Sequence, residues 1–139
     1  MKAGNVYAHM LLVLAGLTAL FIHFRGRPWD ATCLLGLAIL IPSLALWFLA
    51  RIQLGRSFSV RAQARALVTH GLYSKIRNPV YLFGALVILG VILYSGRLRW
   101  LWVFALLVPL QLVRMRKEEK VLQEKFGDAY RAYRQRTWF

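Results

Sequence analysis

The sequence predicts an all-α, polytopic integral membrane protein of one domain spanning 1–139, with about four transmembrane helices and a cytoplasmic C-terminal helical tail. Three observations carry the prediction. Hydrophobic residues make up 59% of the 139 residues and charged residues only 17%, whereas a water-soluble domain averages about 25% charged. Charged side chains are missing from the stretches 6–24, 31–50, 80–96 and 100–113. The charges that remain are nearly all cationic, with a net +14 at pH 7, and they cluster between particular segments, a pattern that sets orientation in a bilayer.

A helix needs about 20 apolar residues to cross the hydrocarbon, so 6–24 and 31–50 are read as full crossings. The first follows a single Lys, exceeds the ~7–15 residue core of a signal peptide and precedes no small-x-small cleavage site, so its retention is expected. Segments 80–96 and 98–113 are shorter, and a buried or re-entrant hairpin is the competing reading. Tyr81, Tyr94, Trp100 and Trp102 stand where interfacial aromatics belong, and Arg97 and Arg99 can snorkel from the turn between the segments. Two crossings are therefore favoured. Pro42 and Pro109 lie inside the second and fourth segments, where each removes a helical hydrogen bond, so kinks with a pocket between them are expected.

Orientation follows from Lys and Arg. The loop 51–79 holds six and the tail 114–139 holds eight, against two each around 25–27 and 97–99. The rich regions share a side, which the positive-inside rule makes cytoplasmic, with both termini there, as in a bacterial-type inner membrane. Topology and anionic headgroups account for the charge, so no nucleic-acid partner is expected. Cys33 is alone in an apolar segment, and His9, His23 and His70 lack ligand-like spacing, so neither a disulfide framework nor a metal site is expected.

Local signals mark the remaining boundaries. Asn78 can cap the third helix, with Pro79 at its first position, where the missing N–H costs nothing. From Arg114 a helix leaves the membrane, Gly127 breaks it, and a basic, aromatic helix follows on the headgroups, packing back over the cytoplasmic mouth. Glu118 and Glu119 stand at the membrane exit, with Arg114 one turn before Glu118. That spacing suits an ordinary intrahelical ion pair. A carboxylate at the membrane boundary equally invites a functional reading.

The stretch Leu67-Val-Thr-His-Gly-Leu-Tyr-Ser-Lys-Ile-Arg-Asn-Pro-Val-Tyr81 is followed by an apolar hairpin, then by Arg114-x-x-x-Glu-Glu-x-x-Leu-x-x-x-Phe-Gly-x-x-Tyr-x-x-Tyr133. In this order, with the upstream Leu54-Gly-Arg-Ser-Phe-Ser59, these blocks resemble the isoprenylcysteine carboxyl methyltransferase family and its bacterial phospholipid-methyltransferase-like relatives. The likeness covers the C-terminal half to two-thirds of the chain. It implies an integral-membrane enzyme that uses S-adenosylmethionine, held between the loop before the hairpin, the helix after it and the tail. Carried over residue by residue, the resemblance implies cofactor contacts at Leu67, Val68, Gly71, Tyr73, Asn78, Tyr81 and Glu119, with Arg114 and Glu118 as catalytic residues beside cofactor and substrate. The chain departs from the family at Leu72, where Pro is frequent, and at Asn78, where His is frequent. It also reads Thr137-Trp138-Phe139 where a Val-Pro-Arg-like stretch is usual, which bears on the acceptor more than on the cofactor.

The residues agree with that chemistry on their own terms. S-adenosylmethionine carries a sulfonium, an ammonium and a carboxylate, and asks for an anion-binding helix start, a carboxylate and an electron-rich ring. The chain offers the helix start at Asn78, Glu118 or Glu119, and Tyr73 or Tyr81. The expected partner is a lipophilic small molecule or lipid within the membrane. A carboxylate acceptor needs no general base, whereas an amine needs Glu118 or Glu119 to take a proton, and spacing does not choose between them. A catalytically idle membrane module of the same fold is the alternative from another class, and a reductase-type relative would need a nicotinamide site that the sequence does not display.

Overall fold

A computed structural model describes residues 3–26, 28–54 and 67–138. Arg27, Arg56, Arg61, Arg65 and the residues 55–59 of the upstream motif lie outside them. The described residues form four α-helices: α1 (Ala3–Phe24), α2 (Ala31–Leu54), α3 (Pro79–Ser95) and α4 (Leu101–Arg136), with short 3-10 turns at Gly71–Ser74 and Leu98–Trp100. No strand occurs among them, and the extended pairing they contain is a bridge between Ile76 and Trp138.

Local chemistry delimits the helices. The Asp30 carboxylate accepts the Cys33 N–H at 2.7 Å, satisfying an orphan donor at the start of α2. At the start of α3 the Asn78 carbonyl accepts from Tyr81 N and Leu82 N, both at 3.1 Å, with Pro79 at the first position. The sequence expectation fails at one point here: the Asn78 side chain makes no cap hydrogen bond. Its amide is engaged elsewhere. Gly96 ends α3 in the left-handed region, φ +66°, as a helix-terminating glycine does.

α4 joins the expected fourth segment and the tail into one 36-residue element, interrupted at Gly127, where φ is +49° and ψ −119°. A side chain at such angles is strained, so the break falls where glycine permits it. Pro42 and Pro109 sit within helices whose backbone continues through them. An apolar cavity of about 350 Å³ does exist, lined chiefly by α1, α3 and the start of α4, including Phe24, Val87, Val91, Arg97 and Trp100. Neither proline lines it.

α2 and α3 form the tightest pair and run antiparallel. A Cβ on Gly36 would lie 2.3 Å from the Tyr94 nitrogen, and one on Gly90 would lie 2.8 Å from the Leu40 nitrogen. Glycine lets the two backbones approach this closely, as is common where apolar helices pack. Tyr94, in the last turn of α3, is buried, its ring stacked on Phe21 at 6.1 Å and edge-on to Phe24 at 6.5 Å. It ties α1 to the α2–α3 pair. Trp100 and Trp102 are exposed.

The outer surface is strongly apolar. Leu11, Leu12, Ile22, Leu34, Ile41, Trp102, Leu106 and Leu110 all face outward, far more than the scattered exposed leucines of a water-soluble domain. Ala31–Leu54 and Leu98–Arg136 are long and apolar enough to cross a membrane, while Met10–Phe24 and Pro79–Ser95 are shorter apolar helices.

Candidate active site

The start of α3 and the middle of α4 meet through two adjacent glutamates. Tyr81 donates its hydroxyl to Glu118 Oε1 at 2.6 Å, and Arg114 Nε stands 3.4 Å from the same oxygen. One residue on, Asn78 donates from Nδ2 to Glu119 Oε1 at 2.9 Å, and Arg77 Nε lies 3.6 Å from it. Helical geometry explains the pairing. Arg77 and Asn78 immediately precede α3 and Tyr81 lies in its first turn, and consecutive positions on α4 meet different parts of that entry. The Asn78 amide therefore spends its donor on a carboxylate 41 residues away instead of on its own helix.

The Gly71–Ser74 turn is pinned from three directions. Gln53, near the end of α2, accepts the Leu72 N–H at 2.8 Å. Tyr133, beyond the Gly127 break, donates its hydroxyl to the Tyr73 carbonyl at 2.8 Å in a buried contact. Trp138 N bonds the Lys75 carbonyl at 3.0 Å. Gly71 occupies φ +61°, and a Cβ there would run into the Gln53 amide, so glycine allows both the turn and its contact with α2.

These supports place the Tyr73 ring in the interior, 6% exposed. Its hydroxyl is buried and has no hydrogen-bond partner among the described residues. Burial pushes this phenol well above the ordinary tyrosine range, Tyr133 adds to the rise, and Arg51 opposes it. The phenol also feels Glu118 and Tyr81, so it belongs to the same electrostatic neighbourhood. Burial likewise raises Tyr130 and Tyr133 to about 12, and all three phenols are neutral at physiological pH.

Of the residues singled out from the sequence, Tyr73, Asn78, Tyr81, Arg114, Glu118 and Glu119 converge here, with Gly71 shaping the turn. Leu67 and Val68 lie half-buried in the segment before the turn, with no hydrogen bond to the others among the described residues. Sequence reasoning did not single out Gln53, Arg77 or Arg51. Arg51 is buried, with its guanidinium carbon 5.4 Å from the Trp47 ring centroid. The spacing of an aromatic and a cation one helical turn apart, at 47 and 51, was the available signal. Gln53 left none. No cluster of His, Cys, Asp and Glu able to hold a metal occurs among the described residues.

Comparison with known proteins places the chain in a family. The family model described as phospholipid methyltransferase matches residues 31–129, a range that includes Asn78, Tyr81, Arg114, Glu118 and Glu119. No curated protein and no solved structure matches the chain. With most of its length matched, the chain belongs to the phospholipid methyltransferase family, within the isoprenylcysteine carboxyl methyltransferase-like group.

Proposed function

We propose that this protein is an integral-membrane methyltransferase that moves the methyl group of S-adenosylmethionine to a lipophilic acceptor with a polar head. The observation that carries the reading is the double clamp, in which Tyr81 and Asn78 on α3 hold Glu118 and Glu119 on α4. Carboxylates in a partly buried site attract the cationic end of such a donor. The unpartnered Tyr73 hydroxyl and the surrounding rings suit its polar groups and its sulfonium. The donor supplies an electrophilic methyl on a positively charged sulfur. Its transfer to the acceptor's lone pair would leave the carbon–sulfur bonding pair on sulfur, so the donor would depart as a neutral thioether.

The residues around the clamp hold, orient and exclude water, the contributions that dominate an in-line displacement. Arg114 orients an anionic acceptor, which attacks without losing a proton. With an amine acceptor, Glu118 receives the proton released on attack. The apolar outer surface and the absence of a large extramembrane domain among the described residues support an acceptor that enters from the lipid.

The reading includes four crossings, with loop 51–79 and tail 114–139 on the cytoplasmic side. The bond from Trp138 to Lys75 supports a common side for loop and tail. In a Cys33→Ser background, cysteines at Lys75 and Lys125 are expected to label from the cytoplasm and one at Arg97 from the opposite face. Labelling of Lys75 and Lys125 from different sides would refute this topology.

Donor binding is tested by calorimetry on the detergent-purified chain. S-adenosylmethionine and its demethylated product should both bind, and Asn78→Ala should weaken them about tenfold to hundredfold, the usual loss for a hydrogen bond to a charged group. A folded sample that binds neither compound would end the proposal. Labelled-methyl transfer to a prenylcysteine analogue, to phosphatidylethanolamine and to a membrane lipid extract then distinguishes a carboxylate acceptor from an amine. Transfer confined to a water-soluble acceptor would overturn entry from the lipid.

A further inference from the structure

A second cavity, of about 410 Å³, is lined by Arg77, Gln123, Tyr130, Arg131, Arg134 and Gln135. Only Arg77 also belongs to the double clamp. The wall contains no carboxylate: it offers three guanidiniums, two side-chain amides and a phenol. The helix break at Gly127 shapes it. Tyr130, Arg131, Arg134 and Gln135 recur on one face of the helix after the break, and the turn sets that face against Gln123 before the break and Arg77 at the head of α3.

The charges in this wall are unequally compensated. Arg77 shares its charge with Glu119 at 3.6 Å. Arg131 Nη1 lies 3.3 Å from Asp128 Oδ1, but that carboxylate is 95% exposed, so water screens the pair. Arg134 forms no ion pair among the described residues. Tyr130 is 1% exposed, and its hydroxyl has no hydrogen-bond partner among the described residues, which leaves a buried O–H in the wall in need of an acceptor.

We propose that this cavity binds a phosphate group, carried by a lipid headgroup or free in solution. Guanidiniums pair with phosphate oxygens in forked geometry, and the amides and the phenol add neutral donors for the remaining oxygens. A sulfonium or ammonium is repelled by the same wall, so only an anionic group suits it, and Arg77 alone is shared with the residues that hold the two glutamates. The inference depends on neither the identity of that donor nor that of the methyl acceptor.

The test uses the full chain in detergent, measuring saturable binding of inorganic phosphate and, separately, of phosphatidylglycerol by native mass spectrometry. One site is expected. Arg134→Gln should weaken it about tenfold to hundredfold and Tyr130→Phe about tenfold. Lys120→Gln, which removes an equal charge from the exposed surface outside the cavity, should leave it unchanged. Arg134 is exposed and Tyr130→Phe keeps the buried ring, so both variants should melt close to the parent. Binding of phosphate alone identifies the oxyanion as the ligand, and binding only of phosphatidylglycerol, lost in Arg134→Gln, identifies the headgroup. Absence of saturable binding by both, or equal weakening by Lys120→Gln, overturns the proposal.

Discussion

Glu118→Gln is expected to lower methyl transfer about 10²- to 10⁴-fold if Glu118 takes the acceptor's proton, the range for loss of a positioned general base. The melting temperature should shift by only a few degrees. Two magnitudes separate these outcomes. The Arg114–Glu118 pair has side chains 49% and 25% exposed, and such an i,i+4 pair contributes only about 0.3–0.5 kcal/mol to stability. Glutamine keeps an oxygen where Glu118 Oε1 accepts the Tyr81 hydroxyl at 2.6 Å, so the α3–α4 contact survives the substitution. What disappears is the charge. If the acceptor is a carboxylate, the same variant should act mainly on donor affinity, raising KM more than it lowers kcat, because no proton is then transferred. Normal turnover with normal KM would reduce Glu118 to half of a structural ion pair.

The fold and the site were legible in the sequence to different degrees. Apolar runs placed the helices because length and hydropathy are local properties. The Asn78–Pro79 start and the Gly127 break were likewise visible, since each depends on the backbone freedom of one or two residues. The clamp itself was not. Asn78 and Glu119 are 41 residues apart, and local capping chemistry gave Asn78 a sufficient role that the tertiary contact then displaced. The packing of Tyr94 was hidden for a related reason. An aromatic at a helix end fits an interface, and its clustering with Phe21 and Phe24, more than 60 residues earlier in the chain, leaves no local signal. Arg51 was hidden among the loop cations because burial, which distinguishes it from them, is not a sequence property.

Glycine packing gives the second large effect. Gly36→Ala is expected to destabilise the protein by about 1–3 kcal/mol, the usual cost of overpacking, even though alanine is favoured over glycine by about 0.5–1 kcal/mol within a helix. Packing wins because the built Cβ lies 2.3 Å from the Tyr94 nitrogen and 2.7 Å from its Cα. These are backbone atoms, which cannot rotate away, so α2 and α3 must separate. Gly16→Ala, with nothing within 4 Å of its Cβ, is the control in which propensity acts alone, and it should melt at or slightly above the parent temperature. The effect of Gly36→Ala should also reach the candidate active site. α2 carries Gln53 to the Leu72 N–H at 2.8 Å and Arg51 to the electrostatic neighbourhood of Tyr73, and α3 carries Asn78 and Tyr81 to the two glutamates. Moving α2 away from α3 loosens the Gly71–Ser74 turn relative to the clamp. Donor affinity should therefore fall along with stability, although Gly36 lies far along α2 from Gln53. Thermal melting and calorimetry on the two alanine variants decide the matter. Equal melting temperatures for Gly36→Ala and Gly16→Ala would mean that the α2–α3 backbones do not approach as closely as Gly36 and Gly90 require.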